Sequence, residues 1–159
     1  MRVHINIGSN LGNRREYIQQ AVVHLRRLAL LNPNANFRQS SIVESEPWGY
    51  SSPYTYLNIG VSFDTDIDAL ELLHSMQAIE QPLGSQSHRK ADGTYADRVV
   101  DIDIIAYGHT VVDTPELTLP HPRSELRDFV MIPLREIDPD LADFVEEFAR
   151  QNHCDNRTR

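Results

Sequence analysis

The residues best placed by type and spacing to do chemistry are Asp101 and Asp103, inside the run Val99-Val100-Asp101-Ile102-Asp103-Ile104-Ile105-Ala106-Tyr107. The run reads as a β-strand. Alternation then puts both carboxylates on one face and Val100, Ile102 and Ile104 on the other. Two residues of rise separate the aspartates by about 6–7 Å. Like charges that close raise each other's pKa unless something positive compensates, and a hard divalent cation with carboxylate, water and phosphate ligands does so. A solvated strand face would also explain an isolated Asp-x-Asp. A strand this apolar, however, belongs in the middle of a sheet, where carboxylates without a role are costly. The expectation is a Mg²⁺-dependent transfer of a phosphate group.

Cations for such a group lie on either side of the strand: Arg89, Lys90 and Arg98 before it, Arg123 and Arg127 after it. Arginine forks match phosphate oxygens bidentately. Parity from Asp101 puts Arg98 on the opposite face of a regular strand, so it joins the site only from the preceding loop. His121, held between Pro120 and Pro122, is a candidate phosphate donor. Trp48, Tyr54, Tyr56, Tyr95 and Phe129 could sandwich a flat heterocycle, and Asn58 offers a paired donor and acceptor. Tyr56 and Phe129 could equally be core. The phosphate-loop lysine, the dinucleotide Gly pattern and the nucleophile elbow are all missing.

The elements that must carry these residues follow from periodicity. Val3, Ile5 and Ile7 alternate as a strand, broken by Gly8-Ser9-Asn10-Leu11-Gly12-Asn13. Tyr17, Ile18, Ala21, Val22, Leu25 and Leu28 form one face of a helix. Residues 37–44 and 54–64 read as strands, the latter with Leu57, Ile59, Val61 and Phe63 inward. Asp66 or Asp68 caps a second helix that buries Leu70, Leu72, Leu73, Met76 and Ile79. A mobile polar stretch over 85–96 precedes the aspartate strand. The order βαββαβ is that of an α+β ferredoxin-like sandwich, an antiparallel sheet with helices packed on one face. C-terminal additions follow: a helix over about 128–134 and an acidic one over about 142–150.

The chain has 159 residues with 40% hydrophobic and 24% charged content, enough for one domain with its own core. Residues 151–159 read as a frayed tail holding the single cysteine, Cys154, a spare thiol. A net charge of −8 argues against a nucleic-acid partner. There is no membrane-length apolar run and no leader pattern, so a cytoplasmic enzyme is expected.

In combination, Ile7-Gly8-Ser9-Asn10-Leu11-Gly12, Tyr56-Leu57-Asn58, Ile79-Glu80, Arg98-Val99-Val100-Asp101-Ile102-Asp103-Ile104 and Leu119-Pro120-His121-Pro122-Arg123 through Arg127-Asp128-Phe129-Val130 resemble the 6-hydroxymethyl-7,8-dihydropterin pyrophosphokinases. The resemblance runs over about residues 3–140. It implies a folate-pathway enzyme that passes pyrophosphate from ATP to the pterin hydroxymethyl group and releases AMP. Asp101 and Asp103 would hold two Mg²⁺ ions, with Arg98 and Arg89 as catalytic cations. Gln77, Arg89, Arg98, Ile104, Thr118, His121 and Arg127 would bind ATP. Ser45, Pro47, Trp48, Tyr56, Asn58, Tyr95 and Phe129 would frame the pterin, and 85–96 would close as a lid. A monomer is expected, with a dimer as the alternative.

The resemblance departs at three positions. Ser85 stands where members carry Arg, so that either Arg89 takes over or the lid is weaker. Tyr95 stands where Trp is common, and Glu116 where Arg is sometimes found. Outside the resemblance two readings compete: a non-catalytic ferredoxin-like ligand-binding module, and a nucleotide-using enzyme with another acceptor.

Overall fold

Arg2–Ser9 forms β1, and every second side chain of it, Val3, Ile5 and Ile7, is fully buried. A computed structural model of the chain describes residues 1–46, 54–83 and 99–157. Among these, α1 (Arg14–Ala29) starts at Asn13, whose side chain accepts from the Glu16 N–H and donates to its carboxylate. That pairing satisfies one of the free N–H groups of the first turn. β4 (Tyr56–Asp64) follows β2 (Arg38–Gln39) and β3 (Val43–Ser45). Then come α2 (Ala69–Glu80), β5 (Asp101–Tyr107), β6 (Val112–Asp113), β7 (Thr118–Leu119), α3 (Asp128–Ile137) and α4 (Pro139–Arg157).

The main sheet runs β2-β4-β1-β5, with β3 also paired to β4, and β1 is antiparallel to both neighbours. This is the expected ferredoxin-like order, with β2 and β3 together in place of one strand. Residues 37–44 are split because Ser40 interrupts the ladder: its hydroxyl accepts the Gly60 N–H at 2.7 Å, where a backbone carbonyl would stand in a regular strand. The aspartate strand, expected in the middle of the sheet, is an edge. Its apolar content is explained by what covers it. Ile102 and Ile104 pack with β1, α1 and α2, while Ile105 and Ala106 pack with Val130, Leu134, Leu141 and Val145 of α3 and α4.

α1 and α2 take the face lined by Val3, Ile5, Ile7, Leu57, Ile59, Val61 and Phe63, together with Leu25, Leu72 and Met76. Burying each such side chain stabilises by about 1.5–3 kcal/mol. Asp68 caps α2, which places Ala69 inside and turns Leu70 outward, contrary to the helical spacing read above. The additions are longer than their spacing predicts, and α4 continues past Arg150 to Arg157. They cover part of the second face. Among the described residues no helix is long and apolar enough to cross a membrane.

Polar side chains hold α3 and α4 on that second face. His4 is fully buried, and its Nδ1–H donates to Asp138 at 2.7 Å. Arg2 donates to the other Asp138 oxygen at 3.1 Å and to the Ser62 hydroxyl. Asp138 ends α3, and its carbonyl accepts the Ala142 N–H in the first turn of α4, so the joint between the two helices is tied to β1. Only glycine fits at position 60. A Cβ there would lie 2.8 Å from the His4 ring and 2.9 Å from Pro133 of α3.

Burial pushes the His4 imidazole below its ordinary value, and the hydrogen bond to Asp138 does not reverse this. Burial acts upward on Asp138, but the hydrogen bond from His4, with that of Arg2 behind it, holds its carboxyl below the usual range. Both groups therefore bind protons more readily in the unfolded chain. Their contribution to stability is complete above about pH 6.5, the unfolded histidine value. It falls as acid protonates first the histidine and then, below about pH 4, the carboxylate. Melting temperatures from pH 7.5 to 3.5 should decline in two stages. The stage that begins at about pH 6.5 should vanish in His4→Gln, and its persistence there would assign it to another group.

Candidate active site

On the second face the strand register lays side chains in rows. Asn58 of β4, Gly8 of β1 and Asp101 of β5 are opposite one another, and Gly60, Asn6 and Asp103 form the next row. Adjacent strands lie about 4.8 Å apart, so Asn58 and Asp101 flank Gly8 at one strand's distance each. The missing side chain of Gly8 makes the floor between them. A Cβ there would lie 3.1 Å from Asn58 Oδ1 and 3.4 Å from the Tyr56 ring.

Asn58 is buried, and its amide nitrogen donates to the Val43 carbonyl at 3.1 Å and the Ser45 hydroxyl at 2.8 Å. The expected paired donor and acceptor is thereby reduced to an acceptor, because both N–H groups are committed to β3. Tyr56, Asn58 and Ser45 thus come together at one end of the sheet. Behind them, Arg14 donates to the Thr55 carbonyl and hydroxyl, and that hydroxyl donates to Glu44. This network fixes the chain where it returns to β4. Phe129 lies half-buried in the first turn of α3 and packs with the cluster of Val130 and Leu134.

Asp101 and Asp103 are half-buried on the expected face. Among the described residues no group of three His, Cys, Asp or Glu side chains could by itself enclose a metal. Two carboxylates on an open sheet face fit a hard cation that takes its other ligands from phosphate oxygens and water. His121 meets them from the loop after β7, with Nε2 3.8 Å from Asp103 Oδ1. Its backbone N–H donates to the Ile105 carbonyl at 2.9 Å, and its Nδ1–H to the Pro122 carbonyl at 3.2 Å. Ile105 is the extra residue of a β-bulge, since His4 pairs with Ala106 and Ile5 with Ile104. Burial first, and the Arg127 charge second, hold the His121 imidazole below its ordinary value, partly offset by its bond to Pro122 and by Asp101.

A cleft of about 410 Å³ opens beside this edge, lined among others by Asp103, Ile104, Thr118, His121, Arg123 and Arg127. Its size suits a nucleotide-sized ligand. Leu73, Glu116 and Leu117 also line it. Gln77 is exposed on α2 and is not among the lining residues. Pro47, Trp48, Ser85, Arg89, Lys90, Tyr95 and Arg98, with the rest of the expected lid, lie outside the described residues, as does the Cys154 side chain. β5 begins at Asp101 rather than Val99. The reading of spacing and type gave no part to Gly8 or Glu80. A glycine inside an alternating strand was the signal for the first, and a glutamate in the last turn of a helix for the second.

The family model for 7,8-dihydro-6-hydroxymethylpterin-pyrophosphokinase matches residues 4–139. A 2-amino-4-hydroxy-6-hydroxymethyldihydropteridine pyrophosphokinase of Porphyromonas gingivalis is 38% identical over 139 residues, 86% of this chain and 90% of that protein. One of Bacillus subtilis is 37% identical over 134 residues, covering 84% and 76%. Among solved structures, an HPPK-DHPS protein in complex with substrates superimposes with a TM-score of 0.57 at 14% identity. The match takes in 87% of this chain and 40% of that longer one, and it shows the shared fold. With its model matched over most of the chain and relatives this similar, the protein belongs to the 7,8-dihydro-6-hydroxymethylpterin-pyrophosphokinase family.

Proposed function

We propose that the chain transfers the pyrophosphate group of ATP to the hydroxymethyl group of 6-hydroxymethyl-7,8-dihydropterin in the cytoplasm, as a step of folate biosynthesis. The observation that carries this reading is the row Asn58, Gly8, Asp101. It puts a hydrogen-bonding and aromatic corner one strand away on one side of a glycine floor, and a carboxylate pair on the other. A flat heterocycle held by Ser45, Tyr56, Asn58 and Phe129 would direct a short substituent across Gly8 toward the aspartates. Pro47, Trp48 and Tyr95 belong to the same frame by resemblance.

ATP would occupy the cleft along β5, with its base near Ile104 and Thr118 and its phosphates toward His121 and Arg127. Gln77 on α2 joins it in this reading, and Arg89 and Arg98 join it by resemblance. The hydroxymethyl oxygen forms a bond to the β-phosphorus as the bond from that phosphorus to the bridging α-β oxygen breaks. AMP leaves, and the hydroxyl proton is lost. Two Mg²⁺ ions at Asp101 and Asp103 would supply neutralisation of the phosphate charge that develops in the transition state. The protein's own part is placement, so no nucleophilic side chain is required.

The direct test supplies ATP, Mg²⁺ and the hydroxymethyl dihydropterin and identifies the nucleotide product. AMP formed only with the pterin present is expected. ADP would make the protein an ordinary kinase, and no pterin-dependent turnover would leave a binding module. Asp101→Asn and Asp103→Asn should each lower kcat by about 10²–10³-fold, the usual loss of a group that stabilises transition-state charge. Their melting temperatures should stay near that of the parent. Near-normal kcat in both variants would remove the metal assignment. Gly8→Ala should raise the pterin KM by roughly ten- to a hundredfold, as a small misplacement can, and leave the ATP KM within about twofold. Equal effects on both substrates would show that the floor serves the fold rather than the pterin.

A further inference from the structure

Glu80 is the last residue of α2 and only 5% exposed. Its Oε1 accepts the Ile102 N–H at 2.7 Å in a buried contact. Three features make a glutamate an unusual choice at this position. Burial removes its hydration. The C-terminal end of a helix is the negative end of the peptide dipoles, and α2 has no basic residue in its last turn to offset it. Asp101 and Asp103 are on the strand it touches, and like charges repel. A residue kept only to close the end of α2 would be a lysine, an alanine or a glutamine.

The position of its partner is informative. Among the described residues β5 is the sheet edge, and the outward N–H of Ile102 is met by the Glu80 carboxylate in place of a strand. Ile102 is the residue between the two aspartates, and its own side chain points to the opposite face, into the core. A hydrogen bond to a carboxylate is shorter and stronger than one to water or to a neutral carbonyl. Anchored at Ile102 from outside and paired to β1 from inside, the β5 backbone cannot tilt its pleat, and the Asp101 and Asp103 side chains leave it in fixed directions.

We propose that Glu80 is a positioning residue for the phosphate-transfer site, clamping the free edge of β5 so that the two aspartates are preset for one divalent-ion arrangement. The inference rests on the metal role given to Asp101 and Asp103. Residues that orient metal ligands from behind are typically worth about 10–100-fold in metal affinity.

The test compares the full chain with Glu80→Ala, Glu80→Gln and Asp101→Asn. Mn²⁺ is titrated by electron paramagnetic resonance in the presence of a non-hydrolysable ATP analogue. Amide exchange is followed at Ile102, and the kinetic constants are measured at a fixed interval below each melting temperature. In Glu80→Ala, Mn²⁺ affinity should fall about 10–100-fold. Ile102 exchange should accelerate while the β1 amides stay protected, and kcat should drop with the pterin KM within about twofold. Glu80→Gln keeps an acceptor oxygen at the same reach and should restore most of the lost affinity. Unchanged Mn²⁺ affinity and kcat in Glu80→Ala, with only a lowered melting temperature, would reduce Glu80 to a structural role. A Glu80→Gln variant as deficient as Glu80→Ala would replace the edge bond by the charge itself. The prior reading fails separately, if the parent chain and Asp101→Asn take up Mn²⁺ equally.

Discussion

A one-residue slip of β5 against β1 would carry Asp101 and Asp103 into the core of Val3, Ile5 and Ile7 and turn Ile102 and Ile104 onto the second face. Register is therefore the constraint on which the site depends, and three devices enforce it. The apolar set of β5 matches the α1 and α2 face, the Glu80 carboxylate meets the edge at Ile102, and the His121 N–H meets it at Ile105. The bulge at Ile105 lets one strand satisfy two layers. Below it Ile102 and Ile104 face α1 and α2, and beyond it Ala106 faces α3 and α4. Without the extra residue, Ile105 would stand opposite His4 and Ala106 would turn to the Val3 side.

The second face of the sheet is divided between structure and function along the same three strands. At one end Gly60 lets Pro133 of α3 approach, and the His4 and Asp138 pair closes the contact. At the other end Gly8 leaves room for the Asn58 amide and the Tyr56 ring, and among the described residues no helix covers the row from Asn58 to Asp101. Both ends use a glycine where a side chain would collide, one to admit a helix and the other to present a flat floor. The polarity of His4, Asn6, Asn58 and Ser62 follows from this division. Side chains on that face meet either buried charge or the open cleft, so the alternation along β1 and β4 had to be apolar inward and polar on the other side.

Much of this was legible in the sequence because period 2 and period 3.6 are local properties. The apolar faces of β1 and β4, the face shared by Asp101 and Asp103, the apolar face of α1 and a cap for α2 at Asp66 or Asp68 all follow from neighbours a few residues apart. What escaped needed partners distant in the chain. Nothing in Ile104-Ile105-Ala106 marks a bulge, since all three residues are apolar and only the pairing with His4 and Ile5 reveals it. The split of residues 37–44 depends on a serine hydroxyl that replaces a carbonyl against Gly60. The edge position of β5 was misread because apolar content reports coverage, and coverage here comes from helices, Glu80 and the His121 loop rather than from another strand. In the site, the acceptor-only amide of Asn58 depended on Val43 and Ser45, which no spacing within β4 could announce.

The edge position also settles how an acidic protein can handle an anionic substrate. A net charge of −8 opposes ATP at long range, but the Debye length is about 8 Å at physiological salt, so only charges in the cleft itself decide binding. A strand in the middle of the sheet would bring its aspartates among other strands and leave no side from which cations could approach. At the edge, Asp103 has the cleft beside it, and Arg123, Arg127 and His121 reach the same space from a separate segment. Burial and Arg127 hold the His121 imidazole below its ordinary value, so it enters uncharged, with its Nδ1–H committed to the Pro122 carbonyl. This limits the positive charge that the cleft itself holds. The backbone edge that would otherwise invite pairing with another chain is met by Glu80 and by the His121 loop, and the site is built beside it.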